Sequence, residues 1–170
     1  MRTLRRRRQE NRTDYGRRIK LLKGNTQRVV FRKTNRYVIA QLVESKEARD
    51  KVVLGITSLS LINHGWPEKF RNSLKSIPAS YLTGLLFGKE ISSKKIKSPI
   101  VDSGMMRTIS GNKFFAFLKG LKDSGVSIKC DEENFPAEDR ITGKHLKEDF
   151  SNMFESVKSN IEKKGGKSNE

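Results

Sequence analysis

Arg5, Arg6, Arg7 and Arg8 stand in one unbroken run, and Arg12, Arg17, Arg18, Lys20 and Lys23 follow within fifteen residues. An arginine side chain is a planar fork that donates two parallel hydrogen bonds, the geometry a phosphate accepts. RNA offers 2′-hydroxyl acceptors besides. Residues 1–36 hold fourteen Lys or Arg against two acids, Glu10 and Asp14, a net +12. The other 134 residues hold 22 basic and 17 acidic groups, a net +5. So about a fifth of the chain carries most of the total charge of +17. A local block of this kind grips a polyanion. A targeting or nuclear-import stretch, or a merely solvated face, is the plainer alternative. The block continues into the part of the chain that must fold, however, and a short signal would end where folding begins.

A second cationic group lies in "VVFRKTNRYVIAQLV", residues 29–43, where Arg32, Lys33 and Arg36 surround Thr34 and Asn35 at the point where two apolar runs must turn. Arg28 stands just upstream and joins the candidate set. Tyr37 adds a ring able to stack on an unpaired base; it could equally begin the next strand and pack on the sheet, and the residues leave both readings open. A third group is Ser110, Gly111, Asn112 and Lys113. A helix beginning there offers backbone N–H groups and a positive dipole end to a phosphate. Its spacing is not that of a nucleotide-binding loop, and ordinary helix-start chemistry explains much of it.

Catalytic signals are poor. His64 and His145 are isolated. Asp102 precedes Ser-Gly and reads as a cap or turn residue. Cys130 is followed by acids and gains no thiolate stabilisation from them. Met105 and Met106 read as core or interface filler. A single cysteine excludes an internal disulfide and a multi-cysteine zinc site, and a reducing, cytoplasmic setting is the simplest reading. No cofactor, metal, small-molecule substrate or membrane partner is expected. No apolar run approaches the ~18 residues of a membrane span, and the N-terminus lacks the apolar block of a secretory signal.

The elements that must position these residues follow from periodicity. Residues 1–12 have no apolar period and are expected to form a basic RNA-binding arm, disordered in isolation. Thr13 or Asp14 can cap a helix to about Lys23, stopped by Gly24, with Tyr15, Ile19 and Leu22 as its apolar stripe. Three strands are expected near 27–33, 36–44 and 50–57, joined as antiparallel hairpins. A loop or short turn follows around "HGWPEKF". Pro78 opens a helix in which Gly84 and Gly88 lie one turn apart, a spacing that asks for a close helix neighbour. Residues 98–104 read as a buried strand. A second helix follows with Phe114, Phe117, Leu118 and Leu121 on one face and Gly125 as stop. "DEENFPAEDR" reads as an acidic loop. A C-terminal helix places Leu146, Phe150, Met153 and Val157 on one side. This order gives an α/β fold with a mixed sheet: a three-strand antiparallel meander, then β/α units. The expected division is an arm at 1–12, one α/β domain at 13–145, and a C-terminal helix and flexible tail at 146–170. Apolar residues are 34% of the chain, enough for an adequate core of ordinary size.

"RRRRQENRTDYGRRIKLLK", "RKTNRYVIAQLV", "SYLTGLLFG" and "SGNKFFAFLKGLKDSGVSI" occur in this order. Together they closely resemble the archaeal and eukaryotic branch of the universal large-subunit ribosomal protein family that binds 5S rRNA, whose bacterial member is the eighteenth large-subunit protein. The likeness runs from about Arg5 to about Leu146, and the length is similar to that of archaeal members. The resemblance implies a ribonuclease-H-like sheet without catalytic carboxylates, and "RVVFRK" indeed carries no acid. It implies a structural, non-enzymatic ribosomal role in translation: binding 5S rRNA and helping to attach it to large-subunit rRNA in the central protuberance, beside neighbouring large-subunit proteins. It assigns RNA contacts to Arg5, Arg6, Arg7, Arg8, Arg12, Tyr15, Arg17 and Arg18, then to Arg32, Lys33, Thr34, Asn35, Arg36 and Tyr37. The segment from Ser110 to Lys113 matches a further RNA-facing part. Ile39 departs from the pattern, since relatives often place a basic residue there. The last 25 residues match poorly and are assigned no role. A non-ribosomal basic RNA-binding protein, a nuclease on the same fold, and a DNA- or membrane-surface protein are the competing classes.

Overall fold

A computed structural model describes residues 6–10, 13–47, 49–94, 96, 98–146 and 150–164. The three expected strands form. β1 (Arg28–Lys33), β2 (Val38–Lys46) and β3 (Arg49–Thr57) are an antiparallel meander, with a register shift at Leu42/Val43. No Asn-Gly pair makes the first turn. Thr34 does: its hydroxyl donates to the Tyr37 carbonyl at 2.6 Å and accepts from the Tyr37 amide at 3.0 Å. A threonine side chain thus supplies locally what a tight primed turn supplies by backbone conformation.

The stretch after β3 turns around Gly65 and Pro67, as expected, between short helices. It forms two 3₁₀ helices, Ser58–His64 and Glu68–Ser73. Gly65, at φ 95°, ends the first in the left-handed conformation that glycine adopts without strain. Helix α3 (Ile77–Ser93) then starts at Ser76, whose side chain accepts from the Ala79 amide. β4 (Ile100–Asp102) lies parallel to β1, giving the order β3-β2-β1-β4. The buried strand expected at 98–104 is thus only three residues long and half-buried, because it is the edge of the sheet. Helix α4 (Lys113–Asp123) follows, then a 3₁₀ turn (Glu132–Asn134) and a short α5 (Glu138–Thr142) within the expected acidic loop.

The core lies between one face of the sheet and the α3–α4 pair. Val29, Phe31, Val38, Ala40 and Leu42 alternate onto that face and are buried. Phe31 meets the rings of Phe114 at 5.8 Å and Phe117 at 4.9 Å. The glycine signal reads correctly. A Cβ on Gly84 would lie 2.2 Å from the Phe117 carbonyl oxygen, and one on Gly88 would overlap the Ser124 side chain. Gly120 reciprocates, at 2.2 Å from the Tyr81 carbonyl oxygen. Tyr81 closes the pair by donating its hydroxyl to Asp123 at 2.7 Å.

Two apolar stripes differ from expectation. Phe150 and, on helix α6 (Ser151–Lys164), Phe154, Val157 and Ile161 are buried, whereas Leu146 and Met153 are exposed. The helix begins after Phe150, and its phase is set by aromatic partners far away in sequence. Phe150 packs on Trp66 and Phe70, and Phe154 on Tyr81. Lys89 of α3 caps the other end of α6 by donating to the Glu162 carbonyl at 3.0 Å. The C-terminal segment therefore completes the core; residues 165–170 lie outside the described ones. Helix α2 (Tyr15–Lys23) forms where expected, with Asp14 as N-cap and Gly24 after its end, but buries no residue, and Ile19 is 54% exposed. The expected stripe of Tyr15, Ile19 and Leu22 is not a core face.

Candidate nucleic-acid interface

What holds α2 to the domain is polar. Arg18 donates to Asp50 at the start of β3 (2.8 Å), and Asp50 also accepts from Arg28 (3.0 Å) and Ser45 (2.6 Å). Arg28 donates further to Ser45 (2.8 Å) and to Asp102 (3.0 Å). Its side chain is only 3% exposed, so one guanidinium ties the first, second, third and fourth strands together. Burial pushes the Asp50 carboxyl up, but the Ser45 hydroxyl and the Arg18 and Arg28 charges more than offset this and hold it below its ordinary value. Asp102 is, as expected, a turn residue, accepting from the Gly104 amide at 2.9 Å. Its second role, as partner of Arg28, is invisible in the sequence.

Arg28 must therefore be withdrawn from the polyanion-binding candidates. It is buried and its donors are spent on two carboxylates and a hydroxyl. A buried charge persists only when paired in this way.

The remaining candidates sort by position. Arg17, Lys20 and Lys23 are exposed on α2, and Arg32, Lys33 and Arg36 are exposed at the β1–β2 tip. None of these six has an acidic partner among the described residues. Asn35 is exposed beside them. Thr34 is spent on the turn, and Tyr37 is half-buried against the core, which leaves only part of its ring to stack on anything else. Tyr15 is half-buried at the start of α2. Of the arm, Arg6 and Arg7 lie in a single helical turn, α1 (Arg6–Gln9), where the sequence leads one to expect no regular structure. An Arg6–Glu10 pair (3.5 Å) and the Arg7 guanidinium on the Thr13 hydroxyl (3.2 Å) favour it. Arg5 and Arg12 lie outside the described residues, as does the side chain of Arg8.

The third group is mostly occupied internally. Asn112 is the N-cap of α4 and accepts from the Phe114 and Phe115 amides, so those donors are not free for a phosphate. The Gly111 amide donates to Asn134, and the Ser110 hydroxyl to the Glu133 carbonyl. Lys113 remains. Partial burial, then the charges of Lys33 and Lys75, hold its ammonium below the ordinary value. Lys75, directly before the Ser76 cap of α3, is thus near Lys113.

Between α1, α2, the end of β1 and the loop after β4 lies a cleft of about 380 Å³. Its charged groups are Arg7, Arg17, Arg18, Arg32 and Lys33, with the carboxylates of Asp14 and Asp102. Leu21, Val30, Phe31, Met105 and Met106 supply its apolar lining. Among the described residues no group of three or more His, Cys, Asp or Glu could hold a metal ion, and no helix is long and apolar enough to cross a membrane. Burial and the neighbouring Asp131 raise the Cys130 thiol above its ordinary value, away from thiolate chemistry.

Fold and surface define a small α/β protein with a cluster of unpaired cations on α2 and the β1–β2 tip, held on a polar strut. Comparison with known proteins supplies the family. Residues 1–99 match the family described as ribosomal large subunit proteins 60S L5 and 50S L18. The chain is similar to proteins named large ribosomal subunit protein uL18. It is 39% identical to that of Korarchaeum cryptofilum over 141 residues, 83% of this chain and 70% of the relative. It is 40% identical to that of Methanoregula boonei over 141 residues (83% and 79%), and 36% to that of Methanoculleus marisnigri over 157 (92% and 87%). The chain belongs to this family of large-subunit ribosomal proteins, and its role is structural, in translation.

Proposed function

We propose that the protein binds 5S rRNA and helps attach it to large-subunit rRNA in the central protuberance, beside neighbouring large-subunit proteins, in the cytoplasmic ribosome. Family membership supports the ribosomal part. The observation that carries the RNA part is the set of six exposed cations on α2 and the β1–β2 tip, Arg17, Lys20, Lys23, Arg32, Lys33 and Arg36, none of whose side chains is paired with an acid among the described residues. A ribosome is a concentrated source of phosphate. Cations left unpaired on the free protein stop repelling one another once phosphates lie between them. The helix and the tip are fixed to one body, so they present charge at a set spacing that suits folded RNA better than a flexible chain. RNA shape and exposed loop bases then supply choice.

Filter binding of 5S rRNA across a salt series tests this. Six phosphate contacts give a slope of log K on log salt of about −4 to −5. A flat response, or equal affinity for duplex DNA or anionic vesicles, overturns the reading. Co-sedimentation of the protein with large subunits is the confirming result in cells.

A further inference from the structure

Ser103 is 4% exposed, lines the cleft between α2 and the loop after β4, and its hydroxyl has no hydrogen-bond partner. A buried hydroxyl carries one donor and two acceptor sites, and leaving them unmade costs stability. Orphans of this kind are few in folded proteins and ask for an explanation. The neighbouring polar groups do not supply one. Asp102 is turned to Gly104 and Arg28 and the Arg18 guanidinium to Asp50, and neither reaches the Ser103 hydroxyl.

The cleft has two chemistries at once. Its lining of Leu21, Val30, Met105 and Met106 is apolar, and the thioethers are polarizable, a surface that suits the flat face of a base. Its rim is mainly cationic: Arg17, Arg32 and Lys33 have no acidic partner among the described residues, while the two carboxylates that also line it accept hydrogen bonds from within the fold, Asp14 from the Arg17 amide and Asp102 from Arg28 and the Gly104 amide. A bare anion would gain nothing from the lining, and an apolar ligand nothing from the rim. At about 380 Å³ the space lies near the small end of ligand pockets, ~300–1,000 Å³, and admits one nucleotide but no duplex.

We propose that this cleft receives one unstacked nucleotide of the bound RNA, its base against Met105, Met106 and Leu21, its phosphate on Arg17, Arg32 and Lys33, and a polar edge hydrogen-bonded to Ser103. The proposal rests on the RNA-binding reading above and assigns to Ser103, Met105 and Met106 a contact that charge alone does not predict. RNA-binding proteins choose sequence by such extruded bases, since duplex grooves in RNA are hard to read.

Ser103→Ala in the full chain is the test, with 5S rRNA as probe. Removing the hydroxyl deletes no charge and opens no large cavity. Thermal stability should hold or rise, the salt slope should stay the same, and Kd should rise about tenfold. In a 2′-hydroxyl acylation footprint one nucleotide protected by the wild type should regain reactivity, the rest remaining unchanged. If Ser103→Ala melts lower, Met105→Glu serves instead: this side chain is 37% exposed, and a carboxylate at the cleft mouth should release the same nucleotide. Binding by both variants within twofold of wild type, with an unchanged footprint, overturns the cleft assignment while leaving 5S rRNA binding intact. Tight binding of free AMP or GMP, with RNA affinity indifferent to Ser103→Ala, would give the cleft to a diffusible nucleotide and overturn the proposal. Failure of the wild type to bind 5S rRNA overturns the RNA reading and the cleft assignment together.

Discussion

Replacing Arg28 by alanine should damage the fold before it damages RNA binding. The guanidinium makes hydrogen bonds to Asp102, Asp50 and Ser45. Breaking a buried ion pair from one side typically costs ~3–5 kcal/mol, because the abandoned charge stays in place. Asp102 keeps 16% exposure and Asp50 keeps 32%, and Asp50 retains Arg18 and Ser45. Water and these partners soften the loss, so the low end applies, about 3 kcal/mol. For a domain of this size each kcal/mol moves Tm by ~2–4 °C, so the variant should melt about 6–12 °C lower. Arg28→Lys should recover little of this, since one ammonium cannot span two carboxylates and a hydroxyl held by three strands. The assay is thermal melting by circular dichroism beside filter binding of 5S rRNA at several salt concentrations. If Arg28 instead touched phosphate, Tm would stay within about 2 °C and the salt slope would shrink by ~0.7–0.9. That pair of results would refute the strut.

Gly84→Ala and Gly120→Ala should each destabilise by about 1–3 kcal/mol or more in urea titrations, since each new Cβ meets a backbone carbonyl of the facing helix that cannot swing aside. Ile161→Ala, in the segment that family likeness leaves without a role, should cost about 2–5 kcal/mol by the same measurement because Ile161 is fully buried. The Asp50 carboxyl is held below its ordinary value, so its stabilisation is present above the unfolded pKa and is lost as pH falls through the lower folded one. The stability gap between wild type and Asp50→Asn should therefore be constant near neutrality and close below about pH 4, read from urea midpoints at each pH.

Much of the architecture was legible because its causes are local. Thr34 and Asn35 mark a turn, Asp14 and Gly24 bracket a helix, and alternation in residues 29–43 sets which side chains enter the core. Gly84 and Gly88 pointed to a close neighbour because a helix tolerates two such weak formers only where something must approach. The misreadings share a different cause. Periodicity reports that Ile19 and Leu22 share a face, but not whether anything covers it. It carries the stripe of Leu146 on to Met153, whereas the helix begins only after Phe150 and takes its phase from there. Phe150 and Phe154 are fixed by Trp66, Phe70 and Tyr81, 70 to 90 residues away.

By itself the sequence determined the fold class, the family and the concentration of positive charge in residues 1–36. Composition, spacing and motif order carry all three without knowledge of what touches what. Only the tertiary structure decided which of those charges are free. Arg28 and Arg32 look alike in "RVVFR", two residues of one type on one side of a strand. The first lies between Asp50 and Asp102, which reach it across 22 and 74 residues, and is consumed. The second stands at the open end of the strand and keeps its donors. Charge is a property of the residue, but its availability depends on which acids the fold brings within 3 Å, and those pairings are set by the sheet.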